Sequence, residues 1–149
     1  MSTSRLQLAL NVSDIEQATA FYSTLFGTEP HKVRPGYVNF AIADPPLKLV
    51  LFENPDASGS LNHLGVELSG VEQVADAARR FESTGLSTRA SQKEMCCHAV
   101  QDKVYVTAPD VPLESWEFYT VIDEDPGTPH EGTNGACCNG EAVASGCCA

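Results

Sequence analysis

Apolar residues recur along the chain with two periods, one typical of strands and one typical of helices. The segment 7–12 is an apolar-rich run of strand length. After it, apolar side chains at helical spacing predict an amphipathic helix, for which Gly27 is the stop. These helical positions are Ile15, Ala18, Tyr22, Leu25 and Phe26. The chain therefore begins with a strand followed by a helix.

The same pattern returns in the second half of the chain. A constant offset aligns residues 7–17 (Gln-Leu-Ala-Leu-Asn-Val-Ser-Asp-Ile-Glu-Gln) with residues 63–73 (His-Leu-Gly-Val-Glu-Leu-Ser-Gly-Val-Glu-Gln). Each copy contains Ser-x-x-Glu, which predicts a capping box at the start of a helix. The two boxes are Ser13 with Glu16 and Ser69 with Glu72. Duplication of one supersecondary unit explains this repeat.

Each predicted helix precedes three short strands. The second helix is carried by Val71, Val74, Ala75, Ala78 and Phe81 and ends near Gly85. Strands are predicted over 30–34, 37–43 and 47–53, and again over 87–92, 99–107 and 115–122. The order is βαβββ twice, so the predicted fold class is α+β. The two modules cover about 1–54 and 61–122.

The composition changes at Asp123. From there to Ala149 the chain has no aromatic residue, no lysine and no arginine, and is rich in glycine and acids. Such a segment has too little apolar surface to offset its chain entropy. We therefore predict one folded domain over 1–122 and a flexible, acidic, Gly- and Cys-rich tail over 123–149.

The charge balance excludes two classes of partner. The 149 residues include 9 Lys and Arg against 20 Asp and Glu, and the formal net charge is −11. This charge predicts that the protein binds neither nucleic acid nor an anionic membrane surface. No stretch approaches the ~20 apolar residues of a membrane span, and no signal-peptide pattern follows the N-terminus. We expect a cytoplasmic protein.

All six cysteines occur as adjacent pairs: Cys96-Cys97, Cys137-Cys138 and Cys147-Cys148. They are too dilute for a disulfide scaffold, and adjacent cysteines do not readily bridge each other. Two neighbouring thiolates do offer two soft donors to one thiophilic centre. The spacing does not match a zinc site, which requires Cys-x-x-Cys and two further ligands, although incidental buried thiols are an alternative interpretation.

Three features together resemble the vicinal oxygen chelate superfamily, which includes glyoxalase I, extradiol dioxygenases and fosfomycin-resistance proteins. They are the duplicated βαβββ pattern, Gln7 and His63 at matching strand positions, and Trp116-Glu-Phe-Tyr119 on the last strand. The resemblance implies that the two modules curl their sheets into a cup. It also implies that Gln7, His63 and Glu117 hold a divalent metal.

Longer strings are similar to one branch of that superfamily, the cadmium-induced proteins and organoarsenical carbon–arsenic lyases. They are Val33–Leu51, Asn62-His-Leu-Gly-Val-Glu67, and Cys96-Cys97 followed by Ala99-Val-Gln-Asp-Lys-Val104. This resemblance implies non-haem Fe(II), dioxygen as co-substrate, and a trivalent organoarsenical bound by the two thiols. The implied reaction cleaves the carbon–arsenic bond of methylarsenite or aromatic arsenicals and releases arsenite.

The proposed metal ligands also suit this chemistry by residue type. Gln7, His63 and Glu117 resemble the 2-His-1-carboxylate triad with one His replaced by Gln, and three ligands leave positions open for dioxygen and water. Each also has an ordinary interpretation: a half-exposed strand Gln, a core or surface His, and an outward Glu of an alternating strand. The match of Gln7 with His63 in the repeat favours the metal site. Glu53 lies at the end of its strand and is not assigned to it.

Further residues are assigned around the thiol pair. The resemblance places Gln101 and Lys103 in the substrate pocket. His98 adjoins the thiols as a ligand, a proton carrier or a solvated loop residue. The tail thiols are merely exposed, capture a metalloid and pass it to the first pair, or hold cadmium; they are Cys137, Cys138, Cys147 and Cys148.

Two other functions remain open from the sequence. A cadmium- or arsenite-binding resistance protein would need only the thiol pairs, whereas a glyoxalase-like metalloenzyme would act without Cys96 and Cys97. The sequence also leaves open whether the modules pair within one chain or exchange strands in a homodimer.

Overall fold

Two successive runs of strand, helix and three strands make up the structure, a computed structural model that describes residues 4–96, 98–109 and 116–126. The first run is β1 (Arg5–Val12), α1 (Ile15–Phe26), β2 (Lys32–Arg34), β3 (Tyr37–Ile42) and β4 (Leu47–Glu53). The second run is β5 (Leu61–Glu67), α2 (Val71–Ser83), β6 (Thr88–Cys96), β7 (Ala99–Val106) and β8 (Trp116–Asp123). The predicted α+β class and the βαβββ order are confirmed.

The chain divides into two compact units, one over Arg5–Leu64 and one that comprises the rest of the chain, so β5 crosses their boundary at Gly65. The predicted limits of the folded domain and its modules stay predictions. Most of the predicted tail, from residue 127 onward, lies outside the described residues. Among the described residues, no helix combines the length and the apolar character needed to cross a membrane.

The first unit places β3 between β2 and β4, and β4 beside β1. β1 and β4 run parallel, whereas β3 is antiparallel to both of its neighbours. One face of these strands forms an apolar core against α1, because their side chains alternate between the two faces. The buried members of that core are Val38, Phe40, Ile42, Leu49 and Leu51.

The opposite face of the same strands is also buried, and it carries polar side chains among apolar ones. Gln7 and Asn11 alternate on β1 with residues that pack towards α1, and Asn39 and Lys48 do the same on β3 and β4. Burial of polar groups costs free energy unless they find hydrogen-bond partners. This face is therefore where we expect function rather than core packing.

The second unit has β7 between β6 and β8, with antiparallel pairing on both sides. Helix α2 packs Val74, Ala77 and Phe81 against Val104, and the ring of Phe81 meets that of Phe118 edge-on at 4.9 Å. The face away from α2 again carries buried polar and aromatic residues. They are Gln101, Lys103, Tyr105, Glu117 and Tyr119.

The predicted capping boxes are wrong by one residue. Asp14, not Ser13, caps α1: its Oδ1 accepts a hydrogen bond from the Gln17 N–H at 2.9 Å. Asp and Ser are both preferred at the N-cap, and this helix uses the later of the two adjacent residues. The second helix begins after Gly70, with no side-chain cap.

Two details of the first helix agree with the sequence. Gly27 ends α1 with a left-handed φ of 62°, the conformation that favours glycine. Glu53 lies outside the polar face: its Oε2 accepts from the Ile15 N–H at 2.9 Å, at the start of α1. One predicted core position of this helix, Leu25, is instead 58% exposed.

The packing predicts that truncation of Phe81 on α2 destabilises the protein much more than truncation of Phe21 on α1. Phe81 on α2 is 5% exposed, whereas Phe21 on α1 is 58% exposed. Phe81→Ala should lower the free energy of unfolding by about 3–5 kcal/mol, because it leaves a cavity against β7 and β8. The control Phe21→Ala should lower it by less than about 1 kcal/mol. Urea unfolding measures both, and equal losses would contradict this packing.

Candidate functional site

Gln7 and His63, which occupy matching positions of the sequence repeat, lie in direct contact. Gln7 projects from β1 and His63 from β5, and their exposed fractions are 4% and 3%. The Gln7 Nε2 and His63 Nε2 atoms are 2.8 Å apart, a hydrogen-bond distance. An amide nitrogen can only donate, so the imidazole Nε2 accepts and carries a lone pair.

His63 also contacts the side-chain amide of Asn62 and lies near the ring of Phe52. Its Nδ1 lies 2.6 Å from the Asn62 Oδ1, which can only accept a hydrogen bond. The Phe52 ring lies 6.2 Å from the imidazole, and Phe52 in turn packs edge-on against Tyr37 at 5.5 Å. Both ring nitrogens of His63 therefore have a side-chain amide as a neighbour, and an aromatic ring lies beside the imidazole.

Glu117 on β8 is engaged by a lysine of the neighbouring strand. The Lys103 Nζ lies 2.9 Å from the Glu117 Oε2, and the exposed side-chain fractions are 0% and 4%. The same Nζ lies 5.6 Å from the ring centroid of Tyr105 and 5.7 Å from that of Tyr119. The two aromatic faces and the carboxylate together compensate a buried ammonium group.

A β-bulge in β6 presents a carboxylate that the sequence analysis did not predict. The register of β6 against β7 shifts between Ser91 and Glu94, so β6 contains one extra residue. Lys93 adopts a left-handed φ of 51°, and its N–H donates to the Asp102 Oδ1 at 2.7 Å. Because the bulge shifts the alternation by one residue, Glu94 rather than Lys93 lies on the face of β6 that continues that of Lys103.

The bulge joins Glu94 to the aromatic residues of this face. The Tyr105 hydroxyl donates to the Glu94 Oε1 at 2.7 Å. The Arg89 guanidinium lies 4.2 Å from the centroid of the Tyr105 ring. A regular strand pattern would have placed Lys93 here, so periodicity alone could not find Glu94. The polar run of residues 91–94 was the one local sign of irregularity.

Of the predicted arsenic-binding residues, only the backbone of Cys96 lies within the described part of the structure. β6 ends at Cys96, whose ladder partner is Ala99 at the start of β7. Cys97 lies outside the described residues, and His98, which follows it, has a left-handed φ of 64°. The tail thiols also lie outside the described residues; they are Cys137, Cys138, Cys147 and Cys148.

The two residues predicted to line the pocket are buried together on one strand. Gln101 is 4% exposed and Lys103 is 1% exposed, and both lie on the face of β7 away from α2. The structure thus brings together Gln7 with His63, and Lys103 with Glu117.

The donor types fit a divalent metal that prefers mixed oxygen and nitrogen ligands. Among the described residues, no three His, Cys, Asp or Glu side chains cluster as a metal site. The predicted ligands Gln7, His63 and Glu117 comprise one amide, one imidazole and one carboxylate, and these donor types suit a divalent metal.

Known proteins resemble this chain over nearly its whole length. A sequence profile of the glyoxalase/bleomycin resistance protein/dioxygenase superfamily matches residues 5–111. The chain is 50% identical to a trivalent organoarsenical cleaving enzyme of Thermomonospora curvata, over 97% of this chain and 99% of that enzyme. It is also 50% identical to the cadmium-induced protein CadI of Mycobacterium tuberculosis, over 94% of this chain and 96% of CadI.

A solved structure shares the fold. An extradiol ring-cleaving dioxygenase from Brevibacterium fuscum superimposes with a TM-score of 0.55 at 18% identity. The match covers 80% of this chain and 34% of that enzyme, so this chain spans about a third of the larger protein. The resemblance inferred from the βαβββ repeat and from Gln7 and His63 is confirmed. The chain belongs to the glyoxalase/bleomycin resistance protein/dioxygenase superfamily.

Proposed function

We propose that the protein is a cytoplasmic, Fe(II)-dependent dioxygenase that detoxifies trivalent organoarsenicals. It would cleave the carbon–arsenic bond of methylarsenite or of aromatic arsenicals and release arsenite with an oxygenated carbon product. The observation that carries the proposal is the buried contact between Gln7 and His63, which joins two matching positions of the repeat. The 50% identity to a trivalent organoarsenical cleaving enzyme supports the substrate class.

Gln7, His63 and Glu117 would hold the metal. Dioxygen activation is the chemistry that bound Fe(II) supplies. His63 contributes an unprotonated Nε2, and the Gln7 amide lies against that nitrogen. Glu117 contributes the negative charge, which the neutral amide and imidazole lack. Its burial excludes competing water from the carboxylate.

Lys103 would orient the Glu117 carboxylate before a metal binds, because its Nζ lies 2.9 Å from the Glu117 Oε2. The pair is buried, and removal of one member of a buried ion pair leaves an uncompensated charge. A divalent cation at Glu117 would replace the ammonium as the compensating charge. Lys103 would therefore balance the charge of Glu117, in addition to its predicted role in the substrate pocket.

Cys96 and Cys97 would bind the arsenic as thiolates. A trivalent arsenical with one organic group has two exchangeable positions, which match two sulfur donors. Binding of both sulfurs fixes the arsenic and orients its remaining carbon bond, so that the reaction becomes effectively unimolecular. Free thiols require a reducing compartment, which supports the cytoplasm as the location. The tail thiols, Cys137, Cys138, Cys147 and Cys148, would capture substrate for this pair.

A second candidate is a cadmium- or arsenite-binding resistance protein. The 50% identity to the cadmium-induced protein CadI favours it. That function would use the thiols alone, so it gives no role to the buried Gln7–His63 contact. A glyoxalase-like activity is the remaining alternative within the superfamily, and it would not depend on Cys96 or Cys97.

The function is tested by arsenite release. The protein is loaded with Fe(II) without oxygen, methylarsenite is added, air is admitted, and inorganic arsenite is measured. We expect release that requires iron, because the thiols alone cannot oxidise the bound carbon. Cys96→Ser with Cys97→Ser should reduce release to the iron-free background while iron binding persists. The matched control, Cys137→Ser with Cys138→Ser, should lower release only at scarce substrate.

Two results of that assay would decide against the proposal. Release no greater than the iron-free control, from protein that binds iron, would exclude the lyase. Unchanged release by the Cys96 and Cys97 double variant would exclude these two thiols as the groups that bind the arsenic.

The role of Glu117 predicts a thermal shift that depends on Lys103. Lys103→Met should lower the free energy of unfolding of the metal-free protein by about 3–5 kcal/mol, because it leaves a buried carboxylate uncompensated. Anaerobic Fe(II) should then raise the Tm of this variant more than that of the wild type, since the metal no longer competes with the ammonium. Thermal unfolding with and without Fe(II) measures both effects.

A control for charge removal comes from an exposed ion pair on α2. Arg79 contacts Asp76, and both side chains are largely exposed. Arg79→Met should lower the free energy of unfolding by less than about 1 kcal/mol and leave the Fe(II)-dependent shift at the wild-type value. A shift in Lys103→Met no larger than in the wild type would contradict Glu117 as a ligand.

A further inference from the structure

A continuous chain of hydrogen bonds leads from a backbone carbonyl to the imidazole of His63. The Ser60 hydroxyl donates to the Ala57 carbonyl at 2.5 Å, and the Asn11 Nδ2 donates to the Ser60 Oγ at 3.0 Å. The Asn62 Nδ2 donates to the Asn11 Oδ1 at 3.0 Å, and the Asn62 Oδ1 lies 2.6 Å from the His63 Nδ1. Four hydrogen bonds thus connect the loop before β5 to the candidate metal ligand.

The carbonyl at the end fixes the direction of every bond in this chain. Because a carbonyl can only accept, the Ser60 hydroxyl uses its proton on Ala57 and is left to accept from Asn11. Each amide then has its nitrogen on one side and its oxygen on the other. The last amide, Asn62, presents its oxygen to His63, so the Nδ1 of His63 must carry the proton.

The direction of these hydrogen bonds can be reversed only if the bond from the Ser60 hydroxyl to the Ala57 carbonyl is lost. If Asn62 presented its nitrogen to His63, Asn11 would also have to turn its amide. The Ser60 proton would then be required by Asn11, and the Ser60 and Ala57 oxygens would face each other without a proton at 2.5 Å. The loss of one such bond shifts an equilibrium by about tenfold or more.

Backbone hydrogen bonds fix the positions of Asn11 and Ser60, two members of this hydrogen-bond network. The Asn11 N–H donates to the Ser60 carbonyl at 3.0 Å, and the Gly59 N–H donates to the Asn11 carbonyl at 2.9 Å. Asn11 is also 6% exposed, so little water competes for its amide. β1 and the loop before β5 therefore hold Asn11 and Ser60 in register without help from their side chains.

We propose that Asn62, Asn11 and Ser60 are positioning residues that set the tautomer of His63. An imidazole in water favours the tautomer with its proton on Nε2, in which Nε2 has no lone pair for a metal. This hydrogen-bond network enforces the opposite tautomer, with Nδ1 protonated and Nε2 unprotonated, and the Gln7 amide donates to that Nε2. Hydrogen bonding of the second ring nitrogen commonly tunes metal-binding histidines. The role in metal binding rests on the proposed function, whereas the tautomer does not.

The tautomer is measured by long-range proton–nitrogen NMR of the metal-free protein labelled with nitrogen-15 in its histidines. The pH is about 8, above the usual range of imidazole titration. The His63 signals are identified by their loss in His63→Gln. We expect the wild type to have Nδ1 protonated. Asn62→Leu, which removes the acceptor, should convert much of His63 to the Nε2-protonated tautomer.

Two further variants separate this role from general damage to the fold. Asn62→Asp retains an acceptor oxygen and should retain the Nδ1-protonated tautomer. Ser60→Ala changes an exposed residue and removes only the anchored end, so it should fold normally and raise the Nε2-protonated fraction. The matched control is Asn54→Leu, since Asn54 makes no side-chain cap to the short turn that follows it. In this variant the His63 tautomer should match that of the wild type.

Metal affinity provides the second measurement. Anaerobic titration with Fe(II) should give a Kd that is about 10–100-fold weaker in Asn62→Leu and near the wild-type value in Asn62→Asp. An Nε2-protonated wild type, or a tautomer unchanged in both Asn62→Leu and Ser60→Ala, would overturn the inference. If His63→Gln binds Fe(II) as tightly as the wild type, the proposed metal site fails while the tautomer result stands.

Discussion

The structure depends on one constraint: each unit uses one face of its strands for a helix and buries polar side chains on the other. Strand alternation makes this division unavoidable, because residues that neighbour a core position point the other way. The polar face is then stable only if its groups compensate one another. The contacts of Gln7 with His63, and of Lys103 with Glu117, are the compensation that is observed.

These two contacts differ in chemistry, and the difference matters for function. The first is neutral and leaves a nitrogen lone pair, so a metal can replace the donated hydrogen bond without removal of a charge. The second is ionic, so a metal bound at Glu117, as proposed, would have to replace the compensating charge that Lys103 provides. Together they supply a neutral amide, an imidazole and a carboxylate, in a chain that is half identical to a named organoarsenical cleaving enzyme.

Periodicity and the internal repeat predicted the βαβββ order, and the resemblance to the superfamily singled out Gln7 and His63. Their direct hydrogen-bond contact is seen only in the structure. Local irregularities escaped prediction. The bulge at Lys93 shifts the alternation by one residue, so that Glu94 rather than Lys93 lies on the face of Lys103. The use of Asp14 rather than Ser13 as the helix cap depends on where the first turn begins. Side-chain contacts across the loop before β5 leave no periodic signal, so the link from Asn62 to His63 could be found only in three dimensions.

The central claim is that carbon–arsenic bond cleavage consumes dioxygen at an iron held by Gln7, His63 and Glu117. Simultaneous measurement of dioxygen uptake and arsenite release from methylarsenite tests it most directly. The account predicts one dioxygen consumed for each arsenite released by the Fe(II)-loaded protein, and neither process in Glu117→Gln. Arsenite release that proceeds at the same rate without dioxygen would contradict it.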